Sequence, residues 1–175
     1  MAEFEIPAGV PSDGETTVWW VSTIATPTLP TTAEVNATGT AENITCYLSK
    51  DGIAPDFDAD TFTVERFCMK NTQETEGKVK WTVDDLMYIW DQQNPESISN
   101  KAYALLQEKL AGFFVIRYGK SAEEHPELEV GDIVHVYSAR LGTRAPAKPE
   151  ANSELYVKQS VKEVRRVETD VKIAA

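Results

Sequence analysis

The stretch ELYVKQSVKEVRRVETDVKIAA, residues 154–175, alternates apolar and polar side chains over nearly its whole length, with no helix cap and no glycine. A period of two belongs to extended chain, in which successive side chains point to opposite faces. One or two long strands are therefore expected here. Each would expose a row of backbone donors and acceptors that only neighbouring strands can satisfy. The chain is thereby committed to a sheet.

The other segments supply candidate neighbours. TTVWWV (16–21) is β-branched and aromatic, as strands are. Residues 42–49 alternate through Ile44, Cys46 and Leu48. Residues 61–69 carry large groups on both faces, which predicts a strand covered on both sides. Residues 78–91 place Val79, Trp81 and Val83 on one face, then shift phase after Asp84-Asp85 to Leu86, Tyr88 and Trp90. Such a shift predicts a bulge or a corner. GFFVIRYG (112–119) and DIVHVYSARL (132–141) read as strands. Between them lies an acidic loop, 121–131. One helix is expected over 97–112, capped by Ser97 or Ser99, with Ala102, Leu105, Leu106 and Leu110 on its inner face and Gly112 at its end. Residues 50–60, opened by Asp51-Gly52, and 71–77 read as turns, 142–153 as a Pro-rich loop, and 25–40 as a long extended connection. The expected architecture is mainly β: a β-sandwich or open barrel with one flanking α-helix and extended arms and loops. It forms one domain over 16–175 after an N-terminal arm, 1–15.

Charge narrows the function. The 17 basic residues against 28 acidic ones give a net charge of −11. That balance argues against wrapping nucleic acid, which takes Lys and Arg to displace counterions, and against docking on an anionic membrane. No apolar run reaches the roughly 18 residues of a spanning helix. MAEFEIPAGV has no basic region followed by an apolar core, so it does not read as a signal peptide, and folding in the cytosol is expected. Cys46 and Cys68 are too few for a disulfide framework and are expected as buried free thiols.

No catalytic or cofactor-binding set assembles on paper. His125 and His135 with two scattered cysteines do not make a zinc pattern. Asp56, Asp58 and Asp60 give a DxDxD run, but Thr61 stands where an EF-hand needs Gly and Phe67 where it needs Glu. There is no GxSxG elbow, P-loop or GxGxxG. Neither metal nor cofactor is expected. Long two-sided strands with proline-rich arms suit self-assembly through strand edges.

The stretch ENITCYLSKDGIAPDFDADTFTVERFC, the one-helix segment before GFFVIRYG, and the closing PEANSELYVKQSVKEVRRVETDVKIAA resemble the major tail (tail tube) proteins of long non-contractile-tailed phages of actinobacteria. The resemblance runs from about Pro27 to Ala175. It implies a tail-tube-like fold and a non-enzymatic structural virion protein of the phage tail, assembled in the host bacterial cytoplasm. Subunits would form hexameric rings that stack into a tube. Implied partners are further copies of the chain, the tape-measure protein, and the tail terminator and distal tail proteins. DNA would pass through the lumen without specific binding, and no membrane is involved. A capsid decoration protein or other virion adhesin module is the alternative, and a small-ligand barrel or enzyme a third.

Within a tube, Lys78, Lys80 and Thr82 are expected to face the channel, with Trp81 opposite them in the core. That polar face could equally be the outer solvent face of the sandwich. Asp51, Gly52, Asp56, Phe57 and Asp58, the N-terminal arm and residues 27–40 are expected to make contacts within or between rings, being too long and too poorly patterned for simple turns.

Overall fold

A computed structural model describes residues 8–68 and 70–175. Residues 1–7 of the expected arm, and Met69 at the end of the expected strand 61–69, lie outside the described residues. With 46% of residues in strands and 9% helical, the fold is mainly β. A six-stranded antiparallel sheet has the order β2-β1-β6-β7-β8-β5, formed by Thr16–Val21 (β1), Ala41–Asn43 (β2), Leu86–Ile89 (β5), Ala111–Tyr118 (β6), Ile133–Pro146 (β7) and Tyr156–Lys172 (β8). A separate ribbon of two strands joins Pro55–Val64 (β3) to Gln73–Val83 (β4). The helices are Thr32–Val35 (α1) and Lys101–Leu105 (α2). By compactness the chain divides into two units, and β7 and β8 run through both.

The first unit holds residues 8–46, 112–137 and 168–175 of the described chain. Its β1 lies against β6 with Trp19 opposite Val115 and Trp20 opposite Phe114. Because strand side chains alternate, one face carries Trp19, Val21 and Val115 into a cluster with Leu128, Val134 and Ile173. On the other face the Trp20 and Phe114 rings meet edge-on at 4.8 Å. Gly112 belongs to this packing rather than to a helix end: a Cβ there would stand 2.5 Å from the Trp20 ring.

Arg117 is the buried charge of this unit, 2% exposed. Its guanidinium donates to Asp132 Oδ2 at 2.8 Å, to the Glu127 carbonyl at 2.9 Å, to Thr17 Oγ1 at 3.0 Å and to the His125 carbonyl. The acidic loop is thus tied to β6 from beneath by one cation. Asp132 also accepts from the Glu129 N–H and from Lys120. Burial pushes the Asp132 carboxyl up, but the Glu129 N–H, Arg117 and Lys120 outweigh it and hold it below its ordinary value.

The second unit holds residues 47–111 and 138–167. Here β5 pairs with the start of β8, Leu86 opposite Gln159 and Tyr88 opposite Val157. The Tyr88 hydroxyl donates to Gln159 Oε1 at 3.0 Å, and the Gln159 amide donates to the Gly142 carbonyl at 3.2 Å. Burial pushes the Tyr88 phenol up to about 12.

Several local expectations are corrected. The helix expected over 97–112 is one 3-10 turn, Ile98–Asn100, followed by α2 only. Its apolar spacing continues, but the backbone of Lys109 and Leu110 is taken by Leu141 of β7, and Lys109 sits at a φ of 66°. Residues 42–49 are not one strand. Thr45 Oγ1 accepts the Val18 N–H at 2.8 Å, and Thr45–Tyr47 turns as a 3-10 helix. That turn leaves Cys46 exposed; Cys68 is exposed as well, so neither is the buried thiol expected. The extended connection 25–40 contains α1, whose capping box joins Thr31 and Glu34. Strand β3 ends at Val64 and β4 begins at Gln73, so residues 73–77 of the expected turn 71–77 are strand, and Pro55–Val64 covers most of the expected turn 50–60. The break after Val83 falls where the phase shift predicted it.

Arg117→Ala is expected to lower subunit stability by about 3–5 kcal/mol, the cost of removing one partner of a buried ion pair and stranding the Thr17 hydroxyl and the two loop carbonyls it satisfies, measured by urea unfolding. Asp132 stabilises the fold above the ordinary carboxylate pKa of about 3.9. That contribution disappears as pH falls through its lower folded value. Asp132→Asn should therefore lower stability at neutral pH and flatten its acid limb in the same titration.

Candidate assembly surface

The β3–β4 ribbon gathers most of the residues singled out in the sequence. Its register sets Phe57 opposite Trp81, Ala59 opposite Val79, Asp56 opposite Thr82 and Asp58 opposite Lys80. Directly opposed residues share a face. One face of the ribbon's base is therefore Phe57, Ala59, Val79 and Trp81, and the other is Asp56, Asp58, Lys80 and Thr82. The register shifts between Ala59 and Thr61, where Gly77 and Lys78 stand opposite Asp60. Two residues against one is a β-bulge, and a Cβ on Gly77 would lie 3.1 Å from the Asp60 carbonyl oxygen.

The ribbon exposes much of what it carries. Phe57 is 58% exposed, Phe62 53% and Val79 37%, and Phe67 at the turn is fully exposed. Trp81 is half-buried, its ring 5.4 Å from that of Phe57, so it does not sit in a core as expected. The strand expected to be covered on both sides is covered on neither, since residues 61–63 and 65–68 are all exposed. A ribbon of two strands is marginal in water by itself. An exposed apolar face flanked by open strand edges is a template for another chain.

The remaining expected residues fall as follows. Lys78, Lys80 and Thr82 are exposed on β4, with Lys78 at the bulge. Asp56 and Asp58 are exposed on β3, and Asp51 is exposed in the preceding turn. Gly52 is buried: its N–H donates to the Ser49 carbonyl, its carbonyl accepts from Met87, and a Cβ would stand 2.6 Å from the Met87 carbonyl oxygen. Its backbone closes the turn within the chain.

Sequence reading missed α1, although Thr31 and Glu34 have capping-box spacing. Glu34 is held below its ordinary value by the Ala25 and Thr31 N–H groups. It also missed Arg117, because one arginine in an apolar run carries no pattern.

Among the described residues, no group of three or more His, Cys, Asp or Glu side chains is placed to hold a metal ion. No described helix is long and apolar enough to cross a membrane. His135 stacks near Tyr137 and meets Tyr118 edge-on, with Asp170 Oδ1 3.8 Å from its Nε2. What stands out is the exposed apolar face of the ribbon.

The family described as phage tail tube protein matches residues 4–175. The chain belongs to this family. It is a structural protein of the phage virion, in a family whose members assemble into a tube and meet other tail proteins. No curated protein sequence matches the chain.

Phe57→Ser and Trp81→Ala should cost the free subunit only about 1–2 kcal/mol, against about 3–5 for the fully buried Trp20→Ala. Both ribbon variants should nonetheless impair assembly, read by sedimentation beside urea unfolding. An unfolding loss at Trp81 equal to that at Trp20 would place Trp81 in the subunit core.

Proposed function

We propose that the chain forms hexameric rings that stack into the tail tube of a long non-contractile-tailed phage of actinobacteria. The tube surrounds the tape-measure protein during assembly, is bounded by the tail terminator and distal tail proteins, and conducts DNA during ejection. The observation that carries this reading is the β3–β4 ribbon, whose outer β3 edge and exposed Phe57 and Val79 find cover in a second copy of the chain. Closing sheets through neighbours in a ring removes their edges. A head-to-tail contact that closes on itself gives a ring. No catalytic role is assigned.

In this reading the face bearing Lys80 and Thr82, with Lys78 at the bulge, lines the lumen; Asp56 and Asp58, expected among the ring contacts, share that face by register and line it instead. Asp51, Phe57, the arm 1–15 and residues 27–40 contribute contacts within and between rings, while Gly52, buried in its turn, only positions Asp51. The 16–175 span acts as one tail-tube domain. The net charge of −11 favours a lumen that is negative overall. A basic wall would bind phosphates through counterion release and stall the cargo, whereas an acidic wall keeps it mobile.

Purified chain examined by negative-stain microscopy should show six-fold rings or tubes; a persistent monomer or trimer contradicts the reading. In such tubes Lys80 should be shielded from an amine reagent too large to enter the lumen, yet react in free subunits. Equal labelling of Lys80 in both states places it on the outside.

A further inference from the structure

Strand β8 runs from Tyr156 to Lys172, but β5 pairs with it only from Tyr156 to Gln159. Beyond Gln159 no described strand is paired with that edge of β8. Strand β4 has the matching defect. It pairs with β3 on one side, and no described strand pairs with its other edge. The two open edges line one cleft of about 450 Å3, formed by residues 80–82 of β4 and 161–165 of β8. They belong to strands already joined in sequence, since β4 leads through Asp84-Asp85 into β5, which is hydrogen-bonded to β8.

The register for closing this cleft can be read from burial. Val83 and Leu86 are both buried. Positions three apart in a regular strand point to opposite faces, so the buried side changes phase between them, as one extra residue makes it do. The Asp84 N–H still donates to Ala54 in line with the β3–β4 ladder, which leaves Asp85 as the extra residue. Counting on from Leu86 opposite Gln159 with Asp85 bulged out sets Val83 opposite Val161, Thr82 opposite Lys162 and Lys80 opposite Val164. The apolar pair Val83–Val161 then continues the buried side of Leu86 and Gln159, and Thr82 and Lys162 share the polar side.

We propose that β4 closes onto the open edge of β8 in this register when copies assemble, with Asp84-Asp85 as the hinge. The inference rests on the tube reading. It adds that the lumen sheet is completed within each subunit: the ribbon extends the six-stranded sheet, and the outer edge of β3 becomes the edge offered to the next copy. In the free subunit Lys80, Lys162 and Arg165 crowd the cleft, with Glu163 engaged by Arg165 at 2.6 Å. Crowded like charges oppose closure until neighbours cover the apolar face of the ribbon.

The test places a disulfide in the predicted register. In a chain carrying Cys46→Ser and Cys68→Ser, Thr82→Cys is combined with Lys162→Cys, and in a control with Glu163→Cys, one residue out of register. Mild oxidation of assembled tubes should give an intramolecular disulfide with the first pair, little with the control, and little with either pair in free subunits. No intramolecular bond in tubes overturns the proposal, as does equal bonding in the control. A disulfide between chains overturns it too, because a neighbour's strand then occupies the cleft. If the double variant does not assemble, amide exchange of the unaltered chain decides: residues 161–165 should slow on assembly, and unchanged exchange contradicts closure. If microscopy shows no tubes of the unaltered chain, the tube reading fails. Tubes that form without the intramolecular bond leave the tube reading standing and reject closure alone.

Discussion

A β-ribbon only two strands wide has no interior, and this constraint governs the β3–β4 ribbon. Phe57, Ala59, Val79 and Trp81 share one of its faces. At roughly 25 cal/mol per Å2 of apolar surface, the area left open by Phe57 and Val79 alone is worth more than a surface salt bridge. Evolution usually blunts an open edge with charge, and here the opposite face of the same strands carries Asp56, Asp58 and Lys80. The ribbon is therefore amphipathic, with an apolar side to be covered and a charged side to remain wet. Family membership and this geometry point the same way, since tail tube proteins do their work as assemblies.

The six-stranded sheet carries most of the buried side chains. Its first unit is held by the Trp19–Val115 face, by the Trp20–Phe114 contact, and by Arg117 beneath the acidic loop. Arg117 earns particular weight because its hydrogen bonds reach two loop carbonyls and two side chains from a site 2% exposed. Removing a buried partner of this kind costs far more than the pair itself contributes. That burial contrasts with the ribbon, where most side chains are exposed and little apolar packing opposes local opening.

Much of the sheet was legible in the sequence. The residues TTVWWV form β1 within the bounds expected, and the terminal alternation forms β8 as one long strand. The phase shift at Asp84-Asp85 marks the break between β4 and β5. What failed did so for physical reasons. Polar residues 73–77 read as a turn because a strand exposed on both faces loses its alternation of polarity. The apolar spacing of 101–110 is helical, yet backbone pairing with Leu141 ends the helix early, as tertiary pairing overrides propensity. Alternation through Ile44, Cys46 and Leu48 could not show that the Thr45 side chain would take the place of a ladder hydrogen bond. Of the assembly surface, the polar face of Lys80 and Thr82 was legible, whereas the bulge at Gly77-Lys78 and the pairing of Phe57 with Trp81 needed the register.

The central claim is that the ribbon is finished on assembly and not in the free subunit. Hydrogen exchange of the β3 and β4 amides, followed in free subunits and in assembled material, tests it most directly. The account predicts fast exchange over both strands in the free chain, slowed at least about 100-fold on assembly, while the β1 and β6 amides are protected in both states. Protection of the ribbon already complete in the free subunit, or unchanged exchange after assembly, would contradict it.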